Sequence, residues 1–128
     1  MCNLVGMVIY IAILIWVGII FGLSAIQNPS NLGSSITFSI VVHIIEYATL
    51  TFLIVVALYR TNHFSKLIIL FGISLILVSL YAVSDEFHQS FVPGREATIQ
   101  DLIFDLLGIG LGMVIWKFGH FIKVRLTR

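Results

Sequence analysis

The chain has 128 residues, of which 59% are hydrophobic and 10% charged, with a net charge of +1. A soluble domain carries about 25% charged residues and about 45–50% apolar ones, and a chain this short cannot hide such an apolar excess from water. The composition excludes an ordinary soluble enzyme, a nucleic-acid binder, a disordered chain and a disulfide scaffold; the single cysteine, Cys2, has no intramolecular partner.

A helix that crosses a bilayer needs about 20 mostly apolar residues. The first such window, about 4–26, contains no Asp, Glu, Lys or Arg. It lacks a basic n-region and is too long for the h-region of a signal peptide, so it reads as a retained helix. A polar, uncharged turn follows, Gln27 to Ser35, with Pro29 and Gly33. The second window, about 36–59, is interrupted by His43 and Glu46, and a short basic turn runs from Arg60 to Lys66. The third, about 67–86, is uncharged until Asp85, and the connection after it carries the turn signal Pro93-Gly94. The fourth, about 98–120, opens on Thr98 as N-cap with Asp101 at N3, and contains Asp105. These runs are too long and continuous for barrel strands, so the expected fold is an all-α integral membrane protein, one domain over 1–128.

With four spans, both termini and the 60–66 turn share one side. That side holds Arg60, Lys66, Lys117, Lys123, Arg125 and Arg128, against Arg95 alone on the other. The positive-inside rule then places both termini in the cytoplasm of a bacterial-type plasma membrane. All six acids, Glu46, Asp85, Glu86, Glu96, Asp101 and Asp105, fall in the opposite loop or the helix halves that adjoin it.

Polar residues therefore converge on the outer half. His43, Glu46 and Tyr47 share one face of the second helix at i, i+3, i+4. Asp85, Glu86, His88 and Gln89 close the third; Asp101 and Asp105 open the fourth, and Arg95 lies between them. Ionisable groups at that depth cost about 2.5–3.5 kcal/mol each and are functional by default. Gly108 and Gly112, and Gly18 and Gly22, have the spacing that lets helices approach closely, within the chain or between copies in an oligomer.

The run Asp85-Glu86-Phe87-His88-Gln89-Ser90-Phe91-Val92-Pro93-Gly94-Arg95, with Asp101, Asp105 and Gly108 after it and His43-x-x-Glu46-Tyr47 before it, resembles the signature of VanZ-like membrane proteins. The resemblance covers about residues 10–116. It implies a multi-pass membrane protein and, through the family's name, a link to tolerance of the glycopeptide teicoplanin. It brings no reaction with it.

Three chemistries suit the polar set. The first is a divalent metal ion. Seven side chains offer nitrogen or oxygen ligands: His43, Glu46, Asp85, Glu86, His88, Asp101 and Asp105. The candidate ligand set is His43, Glu46, Asp85, His88, Asp101 and Asp105, although no HExxH-type motif is present. The second is acid–base catalysis, with Glu46, Asp85, His88 and Asp105 as candidates and Ser84 or Ser90 as a nucleophile. The third is binding of a polar head group, a lipid-linked envelope precursor or a glycopeptide by His43, Glu46, Tyr47, Asp85, Glu86, His88, Gln89, Arg95, Asp101 and Asp105, with Arg95 suited to phosphate or carboxylate. Phe87, Phe91 and Val92 would seat the loop in the membrane interface. The bland readings are that Arg95 pairs with Glu86, Glu96 or Asp101 and that His43 bonds Asp101 or Asp105 to glue two helices. His63 and His120 read as interface residues, and Trp16 and Trp116 as core or lipid-facing bulk. The leading function is binding or modification of an envelope component; the alternatives are an ion- or proton-coupled transporter or channel subunit, or a structural subunit of a complex.

Overall fold

A computed structural model describes residues 4–26, 36–62, 66–95 and 98–126. Cys2, the Gln27–Ser35 turn, His63, Glu96 and Arg128 lie outside the described residues. Among the described residues all regular structure is helical: α1 (Leu4–Ser24), α2 (Ile36–Asn62), α3 (Leu67–Gln89) and α4 (Ile99–Leu126). Each is long and apolar enough to cross a membrane. At 1.5 Å per residue α1, with 21 residues, is about 32 Å long, close to the hydrocarbon thickness of a bilayer. α2 and α4, with 27 and 28 residues, are longer by about two turns each. Their extra turns carry Arg60, Lys123 and Arg125, which suit the interface.

The four windows of the sequence match four helices, with shifts at the ends. α1 stops two residues earlier than expected. α2, α3 and α4 run three to six residues further, because Arg60, His88 and Lys123 do not end a helix at a polar boundary. The start of α4 is as expected: the Asp101 backbone N–H donates to Thr98 Oγ1 at 3.2 Å, and that hydroxyl donates to Asp101 Oδ2 at 2.7 Å. The turn after α3 closes by a bond from the Arg95 N–H to the Val92 carbonyl at 3.1 Å. Gly94 sits at φ +79°, the left-handed value that the third position of a Pro-Gly turn requires.

The closest helix pair is α2 with α4. It is built on Gly108 and Gly112, which lie flat against the α2 backbone. A Cβ on Gly108 would stand 2.7 Å from the Ile44 carbonyl oxygen, and one on Gly112 would collide with the Ala48 carbonyl oxygen and lie 2.9 Å from Thr51 Cβ. This stripe therefore serves the α2–α4 contact inside the chain. Gly18 and Gly22 on α1 face open space.

The core between the helices has two parts. One joins Ile20, Tyr47, Leu50, Val78, Ala82 and Ile109, and the other Val55, Leu70 and Trp116. Around Trp116, Tyr59 packs edge-on at 5.1 Å and the His120 ring stacks at 5.0 Å, so His120 belongs to an aromatic cluster. The outer faces are apolar, for example Leu14, Ile68, Leu80 and Phe118. α1 contributes only Ile20 and Ser24 to the buried set, so it borders lipid along most of its circumference.

Candidate functional site

The sequence dictates where polar side chains can meet. The C-terminal ends of α1 and α3 and the N-terminal halves of α2 and α4 share one end of the bundle, away from Arg60, Lys66, Lys117 and Lys123. At that end His43, Glu46, Asp85, Glu86, Gln89 and Asp105 are buried, with Tyr47 and Ser24 among them. They divide into two groups that differ in how well their hydrogen bonds are satisfied.

The first group centres on Asp85. Ser24 Oγ lies 2.7 Å from both Asp85 oxygens and donates into the pair. Gln89 Nε2 donates to Asp85 Oδ2 at 2.9 Å and reaches Ser24 Oγ at 3.3 Å. The Tyr47 hydroxyl lies 3.5 Å from Asp85 Oδ2, at the outer limit of a hydrogen bond. Both carboxylate oxygens are thus supplied with donors, and the group ties α1 to α3. Arg95 reinforces the same joint: its Nη1 donates to the carbonyls of Leu23 at 3.3 Å and Ser24 at 2.9 Å, where a cation complements the C-terminal end of α1. The expected ion pair of Arg95 with Glu86 or Asp101 is replaced by these carbonyl contacts.

The second group centres on Asp105, which is fully buried. His43 Nδ1 lies 2.8 Å from Asp105 Oδ1 and bridges α2 to α4 as the sequence suggested. Among the described residues, Asp105 Oδ2, both oxygens of Glu86, Oε1 of Glu46 and Nδ1 of His88 have no hydrogen-bond partner. One potential ligand atom from each of His43, Glu86 and Asp105 lies within 4.8 Å of the other two, and all three residues are buried. Buried polar groups in folded proteins are nearly always hydrogen-bonded. Carboxylate oxygens that converge without donors are the arrangement a ligand would complete.

The structure redistributes the predicted roles. Asp101 is half-buried and turned to Thr98 as a cap, outside the convergent set. Asp85 is saturated by Ser24 and Gln89. His88 is half-buried, and its ring stacks on Phe21 at 4.2 Å between centroids. Glu86, one of the seven possible ligands but not of the set of six, comes together with His43 and Asp105, whereas Glu46, Asp85, His88 and Asp101 do not join that group. The two candidate nucleophiles are exposed: Ser84 Oγ donates to the Tyr81 carbonyl at 2.8 Å and Ser90 Oγ to the Phe87 carbonyl at 2.6 Å. These hydroxyls are held by their own helix, and neither pairs with His88. Phe87 and Phe91 are exposed and pack edge to face at 5.0 Å.

Two contributors escape the sequence reading. Ser24 is polar in the last turn of an otherwise apolar helix, which is the one signal that could have marked it. Trp16 is not bulk alone: its indole Nε1 donates to the Glu46 backbone carbonyl at 2.9 Å and locks α1 to α2 at the level of the site.

The sequence pattern of the VanZ/LLP1 family matches residues 7–122, which contain all of these residues. The chain belongs to the VanZ/LLP1 family. No curated protein and no solved structure matches it. Every side chain of the VanZ signature noted in the sequence, from His43 to Gly108, falls at the polar end of the bundle or in the helix contact beneath it.

Proposed function

We propose that this VanZ-family chain works in the cell membrane as a single transmembrane domain, with both termini cytoplasmic and its polar end in the outer leaflet. There it binds or modifies an envelope component with a polar head, such as a lipid-linked wall precursor, and thereby affects tolerance of glycopeptides of the teicoplanin type. The observation that carries this reading is the set of buried polar atoms at the polar end that have no partner among the described residues: Glu46 Oε1, both Glu86 oxygens, Asp105 Oδ2 and His88 Nδ1. Interhelical polar contacts in membranes contribute about 0.6 kcal/mol on average, too little to explain so many buried ionisable groups as glue. The opposite end supports binding over conduction: among the described residues the buried acid and imidazole groups are His43, Glu46, Asp85, Glu86 and Asp105, all at the polar end, while Val55, Leu70 and Trp116 fill the core at the other.

Two measurements test this. Cysteine introduced as Ser90→Cys is labelled by an impermeant maleimide from outside intact cells, and Asn62→Cys is not; the reverse pattern contradicts the orientation. Cells that express the protein tolerate more teicoplanin than cells that do not. Glu46→Gln, which keeps the shape and removes the charge, abolishes that gain while membrane levels stay unchanged. Equal tolerance with and without the wild-type protein contradicts the glycopeptide link.

A further inference from the structure

The three buried side chains His43, Glu86 and Asp105 come from three different helices, α2, α3 and α4, yet offer ligand atoms within 4.8 Å of one another. Glu86 is 6% exposed, and both its oxygens lack a partner among the described residues. Asp105 is 0% exposed, and it uses Oδ1 on His43 while Oδ2 has no partner among the described residues. Three such oxygens on two buried carboxylates need more than one hydrogen-bond donor. A single proton shared between two carboxyl groups supplies one. A divalent cation offsets the charge of both carboxylates and accepts several lone pairs at once.

We infer that His43, Glu86 and Asp105 hold a divalent cation of the zinc or manganese class. One imidazole with two carboxylates is a borderline-to-hard donor set, which suits those ions better than the thiolate-seeking ones. His43 Nδ1 and Asp105 Oδ1, 2.8 Å apart, are close enough to serve as neighbouring ligands of one ion, with the Nδ1 lone pair turned to the ion in place of the hydrogen bond. Ligands around a four-coordinate ion stand roughly 3.4 Å apart, so small side-chain rotations close the set. Three protein ligands leave a coordination position open to water or to an oxygen of a bound molecule. The Asp85 group lies outside the set, because Ser24 and Gln89 already supply its oxygens. The inference holds whichever envelope component the chain handles, and it adds a Lewis acid to the polar end if that component reaches the ion.

The test uses the whole chain in detergent, purified without a polyhistidine tag, stripped with EDTA and then titrated with ZnCl2 or MnCl2. The expected result is a thermal-unfolding midpoint that rises and saturates near one equivalent, with about one ion retained per chain after desalting. Glu86→Gln and Asp105→Asn each lower retained metal by roughly ten-fold or more. Asp101→Asn, whose carboxylate caps α4, retains it at the wild-type level. Two results overturn the inference: no midpoint shift in the wild type with either metal, or a shift that never saturates and is equal in Glu86→Gln. The wild-type titration decides alone if the variants do not fold.

Discussion

Gly112→Leu is expected to separate α2 from α4 and to cost at least about 3 kcal/mol, the upper end of the usual cost of overpacking. A Cβ at position 112 already collides with the Ala48 carbonyl oxygen, and backbone cannot rotate aside as a side chain can. Leucine adds three more carbons along the same line. The intrinsic helix gain of leucine over glycine, somewhat under 1 kcal/mol, is too small to offset this. Gly110→Leu, two residues earlier, supplies the control, because nothing lies within 4 Å of its Cβ position. It should stay within about 0.5 kcal/mol of the wild type, as lipid-facing substitutions away from contacts do. Thermal unfolding in detergent distinguishes the two. A Gly112→Leu midpoint equal to that of Gly110→Leu would mean that the α2–α4 contact is not the spine of the fold. The consequence for function is direct, since His43 and Asp105 face each other across this same contact, one turn above Gly108 and two above Gly112.

The second large effect is expected at that pair. His43→Ala removes the partner of Asp105 Oδ1 and leaves both oxygens of a fully buried carboxylate without a donor. Breaking a buried ion pair by removing one member costs about 3–5 kcal/mol in proteins. The cost in a membrane lies toward the lower figure, because interhelical hydrogen bonds there are worth less than in the interior of soluble proteins. We expect about 3 kcal/mol in metal-free protein, read as a lower unfolding midpoint. The double variant His43→Leu/Asp105→Leu removes both polar groups and should recover most of the loss, since no orphaned charge remains. A double variant no more stable than His43→Ala would mean that the pair acts through shape and not through charge.

The sequence carried most of the fold. Four apolar windows broken by turn signals become four helices, and the Thr98–Asp101 cap is visible in the residues themselves. Helix faces were also legible: His43, Glu46 and Tyr47 point into the bundle together, as i, i+3, i+4 spacing requires. What the sequence could not resolve is which acid turns toward which neighbour. That choice depends on helix rotation and packing depth, which are set by contacts between distant residues. Asp101 and Asp105 are one turn apart, yet one caps α4 and the other is fully buried against His43. Asp85 and Glu86 are adjacent, so their side chains point about 100° apart around α3. Asp85 therefore meets Ser24 of α1, while Glu86 reaches the His43–Asp105 pair. Ser24 went unnoticed because a serine at a helix end has many local uses, and only the approach of α3 gives it Asp85. Arg95 went to the α1 carbonyls for a similar reason: the end of α1, distant in sequence, is what lies within its reach.

On this reading the carboxylate of Glu86, without a partner among the described residues, is retained for a ligand and not for packing. Glu86→Met keeps similar volume and removes both orphaned oxygens. The most direct measurement is the thermal-unfolding midpoint of metal-free Glu86→Met beside metal-free wild type. If the carboxylate is held against the fold's own stability, the variant unfolds later, by about 1–3 kcal/mol or on the order of 5–10 °C. If Glu86 is a packing element with partners of its own, the variant unfolds earlier, and that result would contradict the account.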